Sequence, residues 1–154
     1  MPQGRYITQA DVTGVFGAQP IAAWAQSDPA QHEPYPDQRI EQAIDHAERE
    51  VESRFRGSGY AVPLAGPDED DDGDMSIVRR WMATLAGLWL ASTREVDDEK
   101  DQLGKMRKDV ELAISTVLAG PRTLALKTLT VSTTPNIVSL EKQQKTVCDP
   151  FTVQ

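Results

Sequence analysis

Apolar residues recur at three- and four-residue intervals over three stretches of the chain, and each such run predicts an amphipathic helix. The clearest covers about residues 37–56, where Ile40, Ala43, Ile44, Ala47, Val51 and Phe55 make one apolar face. Glu50 and Arg54 stand one turn apart on its wet side, and Gly57-Ser58-Gly59 ends it. A second helix is expected from residue 74 or 76 to about 92, with Ile77, Val78, Trp81, Met82, Leu85, Leu88 and Trp89 covering more than half of its circumference. Only Arg79 and Arg80 are charged within it, so it should be the central, most buried element. The third runs over about 96–118 on the stripe Leu103, Met106, Val110, Ile114 and Val117, and Gly120-Pro121 stops it. Asp101 with Lys105, Lys105 with Asp109, and Arg107 with Glu111 are opposite-charge pairs at helical spacing on its outer surface. The core expected from the three is Ile40, Ile44, Val51 and Phe55 on the first, Trp81, Leu85 and Trp89 on the second, and Leu103, Met106, Val110 and Ile114 on the third.

The flanks have a different pattern. Thr8-Gln9-Ala10-Asp11 is a hydroxyl cap followed by an acid three residues on, which predicts a short helix burying Val12, Val15 and Phe16 and stopping at Gly17. Pro20, Pro29, Pro34 and Pro36 forbid a long helix after it, so residues 18–36 are expected to form a wrapped loop with at most one helical turn around Trp24. Tyr60-Ala61-Val62-Pro63-Leu64 is an apolar loop that a compact body would pack down. Beyond Pro121 the period changes. Leu124, Leu126, Leu129 and Val131 sit among Thr, Lys and Ser, which favours extended chain, and Ile137, Val138 and Leu140 follow without a pattern that could build its own core. The 34 residues from 121 to 154 reach about 110 Å when extended, at roughly 3.3 Å each. They are expected to order on another surface. The expectation is thus an all-α fold: three main helices and a short N-terminal helix in residues 1–120, with an acidic loop at 67–74, then an extended arm at 121–154 able to add β-structure.

Composition adds a charge asymmetry. The chain has 24 acidic and 16 basic residues, a net charge of -8 at pH 7. The arm holds four bases (Arg122, Lys127, Lys142, Lys145) against two acids, so the body carries about -10 and the arm +2. An acidic body disfavours a general nucleic-acid binder, whose footprint would be basic. No apolar run approaches the roughly 18 residues that a membrane span needs, and the first ten residues lack the apolar stretch of a secretory signal. Cys148 is the single cysteine, which leaves no internal disulfide and no multi-cysteine zinc site.

Candidate chemistry is thin. Asp68-Glu69-Asp70-Asp71-Asp72-Gly73 places carboxylates and glycine as a calcium loop does, but the twelfth position, where a bidentate glutamate would close the site, is Arg79. A solvated acidic loop feeding the next helix start is the favoured reading. His46 has Glu50, not histidine, at i+4, so the spacing of a zinc peptidase helix is absent, and His32 has no partner pattern. Cys148 sits in the arm without a rigid scaffold, and Gly57-Ser58-Gly59 ends a helix where a phosphate loop would open one. Trp81 and Trp89 read as core rather than as a ligand platform. Neither catalysis, a cofactor nor a metal is expected.

The order of these pieces resembles a known family. Tyr6-Ile7-Thr8-Gln9-Ala10-Asp11-Val12 with Phe16-Gly17, the Ala/Glu-rich helix Ile40 to Phe55, the turn Tyr60-Ala61-Val62-Pro63-Leu64, a Trp/Leu-rich helix and a charged helix closing in Gly120-Pro121 are similar to the Mu-like prophage head–tail connectors. The resemblance spans residue 5 to about 120; the acidic stretch 67–74 is longer than the family's connection, and nothing after residue 126 matches a motif. It implies a virion protein assembled in the host cytoplasm, placed in the neck between head and tail. There it would form a dodecameric ring beneath the portal, extend the DNA channel and offer a platform for the stopper or tail. Genomic DNA would pass an acidic channel without specific binding, and no membrane is involved. The arm, through Leu124, Leu126, Leu129, Val131, Ile137, Val138 and Leu140, is then expected to bind the portal or a neighbouring subunit. The alternative is a cytosolic helical module whose arm folds on a protein partner; a calcium-tuned protein and an enzyme rank below both.

Overall fold

The computed structural model describes residues 2–26, 35–67, 71–94, 100–120 and 124–128. Five helices follow one another: α1 (Gln9–Phe16), α2 (Ala18–Ala25), α3 (Pro36–Gly57), α4 (Met75–Ser92) and α5 (Lys100–Ala119). The fold is a helical bundle, with α4 packed against each of the other four.

Local chemistry sets the ends. The Asp11 carboxylate accepts the Thr8 N–H at 2.7 Å and the Thr8 hydroxyl at 2.9 Å, tying the start of α1. α3 begins with Pro36 in its first turn, where no N–H partner is needed, and ends with Arg54 and Arg56 near its carbonyl end. α4 buries Val78, Met82, Leu85, Leu90 and most residues between, which is the central position its apolar circumference demands. At Gly87 the approach of α1 is closest: a Cβ there would lie 2.2 Å from the Phe16 ring. Only glycine admits that contact without a shift.

The expected core is placed as follows. Ile40, Ile44, Val51, Phe55, Leu85 and Ile114 are buried, while Trp81, Trp89, Leu103 and Val110 are partly buried and packed on the core. Met106 is half-buried. α5 starts at Lys100; residues 95–99, where its first turn was expected, lie outside the described residues.

The segment expected as a wrapped loop contains a helix. α2 spans eight residues and buries Ile21, Trp24 and Ala25. Pro20 is its third residue, and the first turn of a helix has no acceptor for its N–H groups, so the ring costs no hydrogen bond there. Pro29 and Pro34 fall outside the described residues and Pro36 opens α3, so no proline interrupts either helix.

The start of the expected arm also differs. Residues 124–128 lie on the body, not away from it. Leu126 is 6% exposed and belongs to the core, and Leu124 packs partly buried against it. A boundary at residue 120 therefore divides a packed unit. Leu129, Val131, Ile137, Val138 and Leu140 lie outside the described residues, as do Asp68–Asp70, His32 and Cys148.

Candidate functional site: two chain segments on one loop

The apolar loop at 60–66 holds the chain from both sides. Burial of Tyr60 and Leu64 fixes it to the core. On one side, Tyr60 and Thr128 form an antiparallel bridge, the Ala61 N–H donates to the Lys127 carbonyl at 2.9 Å, and the Lys127 N–H donates to the Ala65 carbonyl at 3.0 Å. The Tyr60 hydroxyl accepts the Leu124 N–H at 3.1 Å, and Asp74 accepts the Ala125 N–H at 2.8 Å. The pairing satisfies backbone groups that the apolar loop would otherwise leave bare.

On the other side stands an N-terminal hook formed by residues 2–7. Glu48, buried on α3, accepts the N–H groups of Arg5, Tyr6 and Ile7 at 2.9, 2.7 and 3.0 Å. Three such donors offset the cost of burying a carboxylate. The hook passes so close that a Cβ on Gly4 would fall 2.3 Å from the Glu48 Oε1. One turn further along α3, Glu52 accepts the Tyr6 hydroxyl and, at 3.1 Å, the Arg5 guanidinium. The Tyr6 oxygen in turn accepts the Leu64 N–H at 2.9 Å. Burial raises the Tyr6 phenol above its ordinary range, and the bond to Glu52 adds to that, while the Leu64 N–H opposes it. Arg5 is raised by its hydrogen bonds with Tyr6 and then Glu52.

The acidic loop is engaged internally. Arg79 grips Asp72 with both nitrogens, at 2.5 and 3.1 Å, and Asp71 accepts the Gly73 N–H at 2.8 Å. The residue that breaks the calcium pattern thus takes up one of its carboxylates. Among the described residues no group of three or more His, Cys, Asp or Glu side chains is placed to hold a metal ion. His46 lies exposed on α3, its ring 5.8 Å from that of Trp89 and its Nδ1 4.0 Å from Glu50. Trp81 lines a trough beside α5, so the two tryptophans serve different sides of α4 and do not form one platform. No described helix is long and apolar enough to cross a membrane.

Glu48, Tyr6, Glu52 and Asp74 carry this arrangement; the sequence singled out Tyr6 only as the opening of the family resemblance and Asp74 only as a possible helix start, and neither glutamate. A signal for Glu48 exists: it occupies the stripe position between Ile44 and Val51, where a solvent-facing acid has no place. What these residues do chemically is fasten backbone. Donors and acceptors are matched to each other and leave no activated nucleophile among them.

The family model of Bacteriophage Mu, Gp36 matches residues 6–141. The chain belongs to that family. The match begins at Tyr6 of the hook, one residue after the start of the resemblance, and runs beyond Gly120 through the paired residues 124–128 to residue 141. It marks a phage protein, and a small helical body is in keeping with a structural or assembly component. No curated protein and no solved structure matches the chain.

Proposed function

We propose that the protein is a head–tail connector of a tailed phage, an adaptor that completes the head by forming a ring under the portal. In this reading the ring extends the DNA channel in the virion neck and presents a platform for the stopper or tail. The observation that carries it is the family match over residues 6–141, laid on a helical body whose polar groups are spent on holding chain segments together. A body, residues 1–128, with eight excess negative charges suits a passage that DNA crosses without adhering, since like charges do not bind phosphate. A ring of twelve copies joins by a heterologous contact, each copy using two different faces. The segment after Thr128, with Leu129, Val131, Ile137, Val138 and Leu140, supplies the contact to the portal or the adjacent subunit, its ordering cost being met on docking. Leu126 sits in the core and Leu124 packs partly buried against it, so the contact is assigned to the residues that follow them.

The test is co-sedimentation with portal rings from the same phage genome, comparing the full chain with a chain ending at Thr128. Cutting there, not at residue 120, keeps Leu126 in the core. Ring-stoichiometric binding by the full chain and its loss in the shorter one is the expected result. Equal binding by both moves the contact into the helices. Binding by neither, with the protein absent from purified virions by mass spectrometry, overturns the connector role in favour of a cytosolic module acting on another protein.

A further inference from the structure

α5 lies along α4 without closing on it. An open trough of about 480 Å3 remains, walled by Val15 of α1, Ile77 and Trp81 of α4, and Met106, Val110 and Ala113 of α5. Ile77 is 42% exposed there. Arg80 also lines the trough, together with Asp109, yet its guanidinium makes no ion pair with any described residue. Apolar walls around a cation that forms no ion pair with a described residue, and that stands beside Asp109, suit an occupant that brings apolar side chains followed by a carboxylate.

The trough also has a direction. It adjoins a second hollow, with which it shares Val15, Arg80 and Met106, and that hollow shares Arg79 with a third, which Lys127 lines. The depression thus leads from the trough to the place where the described chain ends, at Thr128. Nine residues further on stands Ile137-Val138-Ser139-Leu140-Glu141, an apolar run closed by one acid. That tether reaches up to about 30 Å extended, and the trough itself is short, its α4 wall from Ile77 to Thr84 spanning about 10 Å of helix.

We propose that in the free protein residues 137–141 dock in the chain's own trough between α1, α4 and α5. Ile137, Val138 and Leu140 cover the apolar walls, and the Glu141 carboxylate meets Arg80. A short tether keeps the run at high effective concentration near its own trough and favours that site over the same trough on another copy. Docked there, the run is withheld from other partners until one competes for it. This inference does not rest on the connector reading.

The test uses the full chain with Cys148→Ser, Ala113→Cys and Leu140→Cys, oxidised mildly at low micromolar concentration. The expected product is an intrachain disulfide, seen as a faster-migrating monomer on non-reducing gels. Arg80→Glu should slow its formation about 3- to 5-fold, and adding Glu141→Arg should restore the rate. The inference is overturned by a link that forms only between copies. It is overturned equally by a link no faster than one from residue 140 to Gln42→Cys on the exposed face of α3, or by a rate that Arg80→Glu leaves unchanged. Circular dichroism checks each variant. Asp109→Cys, on the same wall and exposed, replaces Ala113→Cys if that variant loses helical signal.

Discussion

α3 and α5 are of similar length, 22 and 20 residues, and both carry an apolar stripe. α3 seals eight residues from solvent, whereas among the described side chains of α5 only Ile114 is fully buried. The difference lies in what meets each stripe. α3 packs against α1, α2 and α4, and it also receives the N-terminal hook. α5 packs substantially against α4 alone. An amphipathic face marks a surface that seeks cover; the number of partners decides how much of it is covered.

That contrast can be broken most sharply at Phe55. Phe55→Ala on α3 should lower the unfolding free energy by about 3–5 kcal/mol in a urea titration, since the ring is fully buried and its neighbours are fixed. Ile114→Ala should cost about 2–4 kcal/mol, the largest loss available on α5, because that residue is its one sealed contact. If α5 substitutions at half-buried Val110 cost as much as Ile114→Ala, the picture of a helix held at one point is wrong.

Next comes the polar part of α3. Glu48→Ala should cost about 1–3 kcal/mol by leaving three backbone donors unmatched, and Glu48→Gln, which keeps an acceptor oxygen, should recover part of that. Amide exchange at Arg5, Tyr6 and Ile7 should quicken in the alanine variant before exchange in α4 does. A smaller effect is expected with pH. The Tyr6 phenol has a folded value raised above its ordinary 10.0, so its contribution is present in full below about pH 10 and is lost as pH rises through the folded value. Stability of the unaltered protein should fall across that alkaline range, and Tyr6→Phe should flatten the fall. The smallest change is Leu112→Ser on α5: the side chain is 67% exposed, so unfolding should shift by less than about 0.5 kcal/mol.

The helices that dominate the fold were legible because their periodicity is strong. Residues 37–56 and 74–92 were expected as helices, and α3 and α4 occupy Pro36–Gly57 and Met75–Ser92. α2 is hidden by its proline: Pro20 is a helix breaker in general but costs no hydrogen bond in the first turn, and a proline's place in the turn is not visible in composition. Leu124 and Leu126 were legible as apolar, but the expected extended chain is bent there, the Leu126 N–H donating to the Leu124 carbonyl at 2.8 Å. Their destination was not legible, because an isolated bridge joins residues 60 and 128, far apart in sequence, and periodicity carries no information about such a partner. Glu48 and Tyr6 were hidden for a similar reason. An acid on an Ala/Glu-rich helix looks solvated until the hook that fills its lone pairs is seen in place.

The fastening of residues 2–7 and 124–128 to residues 60–66 sets the route by which tension would travel. A pull on the chain beyond Thr128 first loads the two bonds that flank Lys127, to Ala61 and Ala65. From that loop it passes through the Leu64 N–H to the Tyr6 hydroxyl, and from there to Glu52 on α3. Force applied at the C-terminal side is thus delivered to the best-anchored helix of the body. α5 precedes the pulled segment in sequence, yet the hydrogen-bonded route bypasses it.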